Sequence, residues 1–282
     1  MEGSKVASII ADLFRPELIV YNISFLYIGM LFAPKITIAT FIILTLAFMS
    51  ARLGALTMNR YIGREIDLQN KKKEKSPHLL IPKNGLLAIF IIFSAVFLAS
   101  CYYLNPLALA LSPLVLAFFI LDPMLKRHTS NRHFSVGLIE SFSAIAGYIG
   151  VTGSIPATPA LYLLMLAMIF IGSGFDIIYS IVHVEFDKKH RLNTYATKYG
   201  VNNALKVSAA FHAIAAVLLL AFAFFSGYYI IFLGAAVAAV ILAMEHMNIK
   251  KRDDRDLMKR VMLYNPVLAS ILLLCTIIAV IL

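Results

Sequence analysis

At 282 residues, 61% of them apolar and with a formal net charge of +10, the chain has more apolar surface than a soluble domain of its size can bury. Its mean hydropathy of +0.85 makes lipid the solvent of the fold, and apolar runs of about 17–25 residues suit helices rather than the strands of a barrel. The positive balance needs no nucleic acid to explain it, because lysines beside a bilayer are drawn to anionic lipid at about 1 kcal/mol each.

Taken in chain order, the runs predict nine spans, at 18–34, 36–58, 85–104, 106–121, 136–152, 160–184, 204–226, 228–246 and 260–282. The first is interrupted by Asn22 and Ser24, and Asn265 lies near the start of the last, so both asparagines are expected to face the bundle interior. Cys101 and Cys275 sit inside apolar runs without metal-ligand spacing and read as small buried hydrophobes. Residues 1–12 lack the basic start, apolar core and cleavage site of a secretory signal, so the spans themselves are expected to direct insertion.

The connections fall into two sets. Long polar loops at 59–84, 122–135, 185–203 and 247–259 follow the even-numbered spans, and tight turns at Pro34-Lys35, Asn105-Pro106, 154–156 and Ser226-Gly227 follow the odd-numbered ones. Of the 25 lysines and arginines, all except Lys35 lie in the long loops, towards the span ends that abut them, or in the N-terminal segment. The positive-inside bias therefore predicts an all-α membrane protein: a nine-transmembrane-helix bundle with cytoplasmic cap loops, N-terminus in and C-terminus out. Tyr102, Tyr103, Tyr162, Tyr228 and Tyr229 gather at the predicted outer boundary, where a phenol sits well among headgroups. We read residues 1–282 as one domain of two pseudo-repeated halves, about 1–135 and 136–282.

Ionisable groups within or abutting spans are costly and mark chemistry. Two segments carry them. The second span runs into Asn59, Gly63 and Asp67, spaced by four and sharing a face if the helix continues. The sixth runs through Asp176, Tyr179, His183 and Asp187, at spacings of three, four and four, again one face of a continuous helix. Opposed across a cavity, the two would offer an oxygen-rich site for a hard divalent cation. Mg²⁺ suits it, taking one or two carboxylates, waters and substrate phosphate oxygens. Solvated charges at two interfacial helix ends are the bland alternative.

These segments resemble the UbiA superfamily of membrane prenyltransferases, particularly its 4-hydroxybenzoate polyprenyltransferase-like branch. The family's N-R-x-x-D-x-x-x-D is matched by NRYIGREID at 59–67, and its D-x-x-Y-x-x-Q-D-x-x-x-D by DIIYSIVHVEFD at 176–187. LDPMLKRHTSNRHFSVG at 121–137 is similar to its Y-P-x-x-K-R-x-T loop, and Glu17, 27–29 and 198–200 add smaller likenesses. Two departures accompany these matches: Gly63 stands at the first motif's leading aspartate, and Val182-His183 replace the Gln-Asp pair of the second.

The resemblance implies transfer of an isoprenyl chain from a polyprenyl diphosphate to an aromatic acceptor in ubiquinone- or menaquinone-type quinone biosynthesis, with Mg²⁺ as cofactor; other branches of the superfamily take non-benzoate acceptors, and the residues leave that alternative open. It implies Asn59, Asp67 and Asp187 as metal ligands, with Asp176 and His183 as further candidates. Asp67, Asp176, Asp187 and Tyr179 would be catalytic, and Asn59, Arg64, Lys126 and Arg127 would face the diphosphate, with the lysines of 71–75 either assisting or simply solvated. His183 is either a nitrogen ligand, which a transition metal would tolerate better than Mg²⁺ does, or a polar residue hydrogen-bonded in the bundle. Glu140 either pairs with His183, helps orient the acceptor, or bonds helix to helix. A transporter would also carry intramembrane charges, but in helices broken at the midplane. An isoprenoid-binding protein without turnover would follow if Gly63 and His183 removed the metal site.

Overall fold

The computed structural model describes residues 15–69, 76–125, 128–249 and 255–282, with the side chains of 248 and 255–261 excepted. The described residues are helical: α1 (Pro16–Leu31), α2 (Ile38–Gln69), a 3₁₀ turn (Pro77–Leu80), α3 (Lys83–Leu104), α4 (Pro106–Leu125), α5 (Arg132–Thr152), α6 (Pro159–Ile181), α7 (Val184–Lys189), α8 (Tyr195–Tyr199), α9 (Val201–Ser226), α10 (Tyr229–Asn248) and α11 (Arg255–Ile281). Eight of them are long and apolar enough to cross a membrane, and α1, at 16 residues, is a shorter apolar helix. The first of the nine expected spans is thus too short for the full hydrocarbon thickness of about 30 Å at 1.5 Å per residue.

Punctuation follows local chemistry. Thr37 caps α2, its hydroxyl accepting from the Thr40 amide at 3.1 Å. Asn105 closes α3 and opens α4, its side-chain oxygen accepting from Ala108 at 2.8 Å while Pro106 takes the first helical position. Thr158 and Pro159 repeat the device at α6, and Thr194 with Thr197 forms a capping box on α8. The α2 helix runs 32 residues, about 48 Å, so it outruns the hydrocarbon and presents its last turns beyond it.

The chain divides into two compact units. The first comprises Met1–Ile19 and Thr37–Leu125, with a core in which Ala47 of α2 and Phe97 and Cys101 of α3 pack with Val115 and Leu116 of α4. The second comprises Val20–Ile36 and Lys126–Leu282. Its core joins Tyr21 and Phe25 of α1, Ala144 of α5, Leu164 and Met168 of α6, Phe222 of α9, Leu242 of α10 and Leu268 of α11. The α6 helix is the centre of this unit, the most deeply buried of the candidate spans. It packs closely on α5 because Gly137 lacks a side chain: a Cβ there would collide with the Ile169 carbonyl oxygen and Ser173.

Outward faces carry large apolar side chains, among them Ile38, Ile42, Ile92, Val217 and Phe224, which lipid rather than water would cover. Asn22 and Asn265 are buried, as expected, and so are both cysteines. Tyr102, Tyr103 and Tyr229 are exposed at the ends of α3 and α10.

Candidate active site

In the first unit, α2 continues to Gln69, so Asn59, Gly63 and Asp67 do lie along one helical face. Asn59 is exposed, whereas Asp67 is buried. The 3₁₀ turn that follows holds this helix end. Fully buried His78 sets its Nε2 3.4 Å from Asp67 Oδ2, and the Leu79 carbonyl accepts from Arg64 Nη2 at 2.9 Å. The other terminal nitrogen of Arg64, Nη1, is buried without a hydrogen-bond partner, and an orphaned guanidinium donor is a place for an anion. Glu65 points elsewhere, to Lys83 at 3.0 Å. Beside Gly63, Asp67 Oδ2 is the one atom of the described residues within reach of an added Cβ, at 3.9 Å, so among those residues the space a carboxylate would take there is open.

In the second unit, the single-helix face expected for Asp176, Tyr179, His183 and Asp187 is corrected. The α6 helix ends at Ile181, and His183, at φ −107° and ψ 8°, starts the separate one-turn helix α7. The 3–4–4 spacing presumed unbroken helical backbone, and the chain turns between Val182 and His183 instead. Asp187 is buried on α7 and its carbonyl accepts from Leu192 at 2.8 Å. Tyr179 stacks on Phe175 and meets the His183 ring edge-on at 5.8 Å. Glu140 of α5 reaches α6 at Gly172, where an added Cβ would lie 2.8 Å from its Oε2.

Asp176 has partners that sequence reasoning missed. His133 Nδ1 lies 2.6 Å from its Oδ2 and Arg132 Nη1 lies 3.4 Å from the same atom. Both residues open α5, more than 40 positions away in sequence, and no local periodicity links them to α6. Lys126, Arg127 and the lysines of 71–75 lie outside the described residues.

Among the described residues, no three His, Cys, Asp or Glu side chains gather into a group able to hold a metal. A closed structural-zinc cage is therefore not what these segments build. Each segment instead contributes one buried carboxylate, Asp67 in the first unit and Asp187 in the second, and a carboxylate is the kind of ligand a hard cation takes when water and phosphate supply the rest.

A family model for the UbiA prenyltransferase family matches residues 22–267. The chain belongs to this family. It is thus a prenyltransferase, and a multi-pass integral membrane protein. Among curated relatives, it is 23% identical over 217 residues to a 4-hydroxybenzoate octaprenyltransferase of Alkalilimnicola ehrlichii, covering 76% of this chain and 73% of the relative. It is 26% identical over 218 residues to the enzyme of the same name from Pseudomonas fluorescens, covering 75% and 72%. Among solved structures, the apo UbiA homolog from Aeropyrum pernix K1 superposes with a TM-score of 0.83 at 25% identity, covering 92% of this chain and 96% of that one. The Archaeoglobus fulgidus UbiA homolog bound to GPP and Mg²⁺ shares the fold, with a TM-score of 0.75 at 18% identity and coverage of 98% and 100%.

Not every polar cluster of this family member belongs to the acidic segments. Within the second unit, His212 of α9 is buried against Gly174 of α6, where a Cβ would collide with its ring. Its Nε2 meets the Ile171 carbonyl at 3.3 Å, and its Nδ1 lies 3.0 Å from His246 Nε2 and 3.4 Å from Glu245 Oε2, both on α10. A carbonyl only accepts, so Nε2 of His212 carries a hydrogen and Nδ1 is the atom that the other two side chains share. The sequence reading passed over all three, although the rule that intramembrane ionisable groups find one another would have flagged them.

Proposed function

We propose that this prenyltransferase moves an isoprenyl chain from a polyprenyl diphosphate to an aromatic, 4-hydroxybenzoate-like acceptor in quinone biosynthesis, at a site facing the cytoplasm. The names of the curated relatives favour that acceptor, and the lysine-rich long loops favour that orientation. The observation that carries the reading is a buried carboxylate in each of the two family segments, Asp67 in one and Asp187 in the other.

In the reaction, the allylic carbon–oxygen bond breaks and its electron pair leaves with the diphosphate. The aromatic ring then forms a carbon–carbon bond to the allylic carbon and loses a proton. The barrier is charge separation, so groups placed where negative charge gathers on the leaving oxygens lower it. Arg64, with Nη1 unengaged, would be a donor to those oxygens, and the sequence motif adds Lys126 and Arg127 as further cationic candidates. Asn59, Asp67 and Asp187 would hold Mg²⁺, which supplies counter-charge to the diphosphate. A hard cation is the class bound with GPP by the Archaeoglobus homolog. Tyr179 would offer an aromatic face to the allylic cation, and Glu140 would help orient the acceptor. A carbocation is quenched by water, so the 185–203 segment would serve as a cap.

A second reading is binding of isoprenoid without turnover, favoured by the glycine at 63 and the histidine at 183. Purified protein incubated with Mg²⁺, geranylgeranyl diphosphate and a panel of aromatic acceptors decides between them. Turnover predicts pyrophosphate release together with a prenylated ring. Release and product both absent across the panel, with diphosphate still bound, would establish the binding-only protein.

A further inference from the structure

A backbone N–H can only donate, and this fixes the state of a buried histidine beside the second acidic segment. The Tyr195 amide points at His133 Nε2 from 3.4 Å. That nitrogen must therefore carry the lone pair, and the ring hydrogen sits on Nδ1, where it donates to Asp176 Oδ2 across 2.6 Å. One neutral tautomer satisfies both partners. The ring is 1% exposed and also lies 5.5 Å from the Tyr195 ring.

We propose that His133 is a positioning residue that ties the Asp176 carboxylate to the first residue of α8, so that α5, α6 and the cap segment 194–199 are held as one piece within the second unit. With both nitrogens engaged and no exposed edge, His133 has no means of touching substrate and acts through its neighbours. Asp176 is held on one oxygen by His133 and by Arg132 Nη1, which fixes the carboxylate's rotamer. On the other side of the ring, the tie reaches a segment already stiffened by the Thr194–Thr197 capping box. A histidine is required only in the sense that one donor and one acceptor must be presented in opposite directions. Glutamine can present both, and leucine neither.

The kinetic part of this inference rests on the prenyl-transfer reading, but the tie itself does not. Amide hydrogen exchange over 191–200 in purified protein reads the tie directly. His133→Leu should exchange about tenfold faster at the Tyr195 amide, and His133→Gln should match wild type. In the prenyl-transfer assay, His133→Leu should lose about tenfold in kcat and His133→Gln less than about threefold. The KM for the prenyl diphosphate should change less than kcat, because the hydrogen bonds of His133 run to Asp176 and Tyr195 rather than to Arg64, Asp67 or Asp187.

A second pair of variants isolates the amide. Tyr195 is the first residue of α8 and Thr194 is already extended, at φ −128° and ψ 163°, so proline fits there without breaking the helix. Tyr195→Pro removes the N–H and should lower kcat, whereas Tyr195→Ala keeps it and should lower kcat less. Combining Tyr195→Pro with His133→Leu should cost no more than His133→Leu alone, because both cut one link. If His133→Leu fails to fold, the Tyr195 pair carries the same test. Wild-type exchange in His133→Leu, equal losses in the leucine and glutamine variants, or equal losses in the proline and alanine variants would each overturn the proposal. Absence of prenyl transfer in the wild type would refute the function but leave the exchange comparison to judge the tie.

Discussion

Replacing His212 by alanine should unsettle the second unit without touching either acidic segment. His212 engages the Ile171 carbonyl and His246 Nε2, and the loss of two such hydrogen bonds costs about 2 kcal/mol. The ring also fills the space that Gly174 leaves open on α6, and emptying it adds about 2–3 kcal/mol. Glu245, fully buried, then loses its 3.4 Å contact with His212 Nδ1. A total of about 4–5 kcal/mol corresponds to a fall of roughly 10 °C or more in melting temperature for a chain of this size. Thermal unfolding in detergent, followed by size-exclusion chromatography of the heated protein, measures it. The double variant His212→Leu with Glu245→Leu should recover most of the loss, because apolar side chains of similar volume replace buried polar groups at little net cost. A His212→Ala protein melting within a degree of wild type, or a double variant less stable than the single, would refute the cluster's role in packing α6, α9 and α10.

Gly63→Asp should leave prenyl transfer intact or raise it, since the added side chain enters open space beside Asp67; steady-state kinetics at limiting Mg²⁺ checks this, and a large loss would mean the glycine serves a rearranged site. Gly137→Ala should lower the melting temperature by several degrees, because its Cβ meets backbone on α6 that has no way to yield. Arg64→Met should raise the KM for prenyl diphosphate or lower kcat, together a loss of roughly 10²-fold in kcat/KM, with melting temperature little changed; unaltered kinetics would remove Arg64 from the diphosphate.

Much of this architecture was legible in the sequence because lipid imposes a coarse code. Charge-free runs marked helices, and Asn105-Pro106 marked the turn between two of them. The face shared by Asn59 and Asp67 was legible because α2 stays helical beyond the hydrocarbon, so spacing by four kept its meaning. The same spacing misled after Ile181, where the backbone turns and His183 opens a new helix. Arg132 and His133 were quoted only as part of a basic loop, since their pairing with Asp176 depends on how α5 docks on α6 through Gly137 and Gly172. The His212, Glu245 and His246 cluster was invisible for a like reason: its members are adjacent only once α9 lies between α6 and α10.

The proposed prenyl transfer requires Asp67 and Asp187 each to contribute to binding of the divalent cation and the diphosphate. Equilibrium binding of a non-hydrolysable geranylgeranyl thiodiphosphate to the purified protein, with and without Mg²⁺, tests it most directly. The account predicts Mg²⁺-dependent binding in the wild type that is lost in Asp67→Asn and equally in Asp187→Asn, with both variants folded. Mg²⁺-dependent binding that survives in either variant would contradict it.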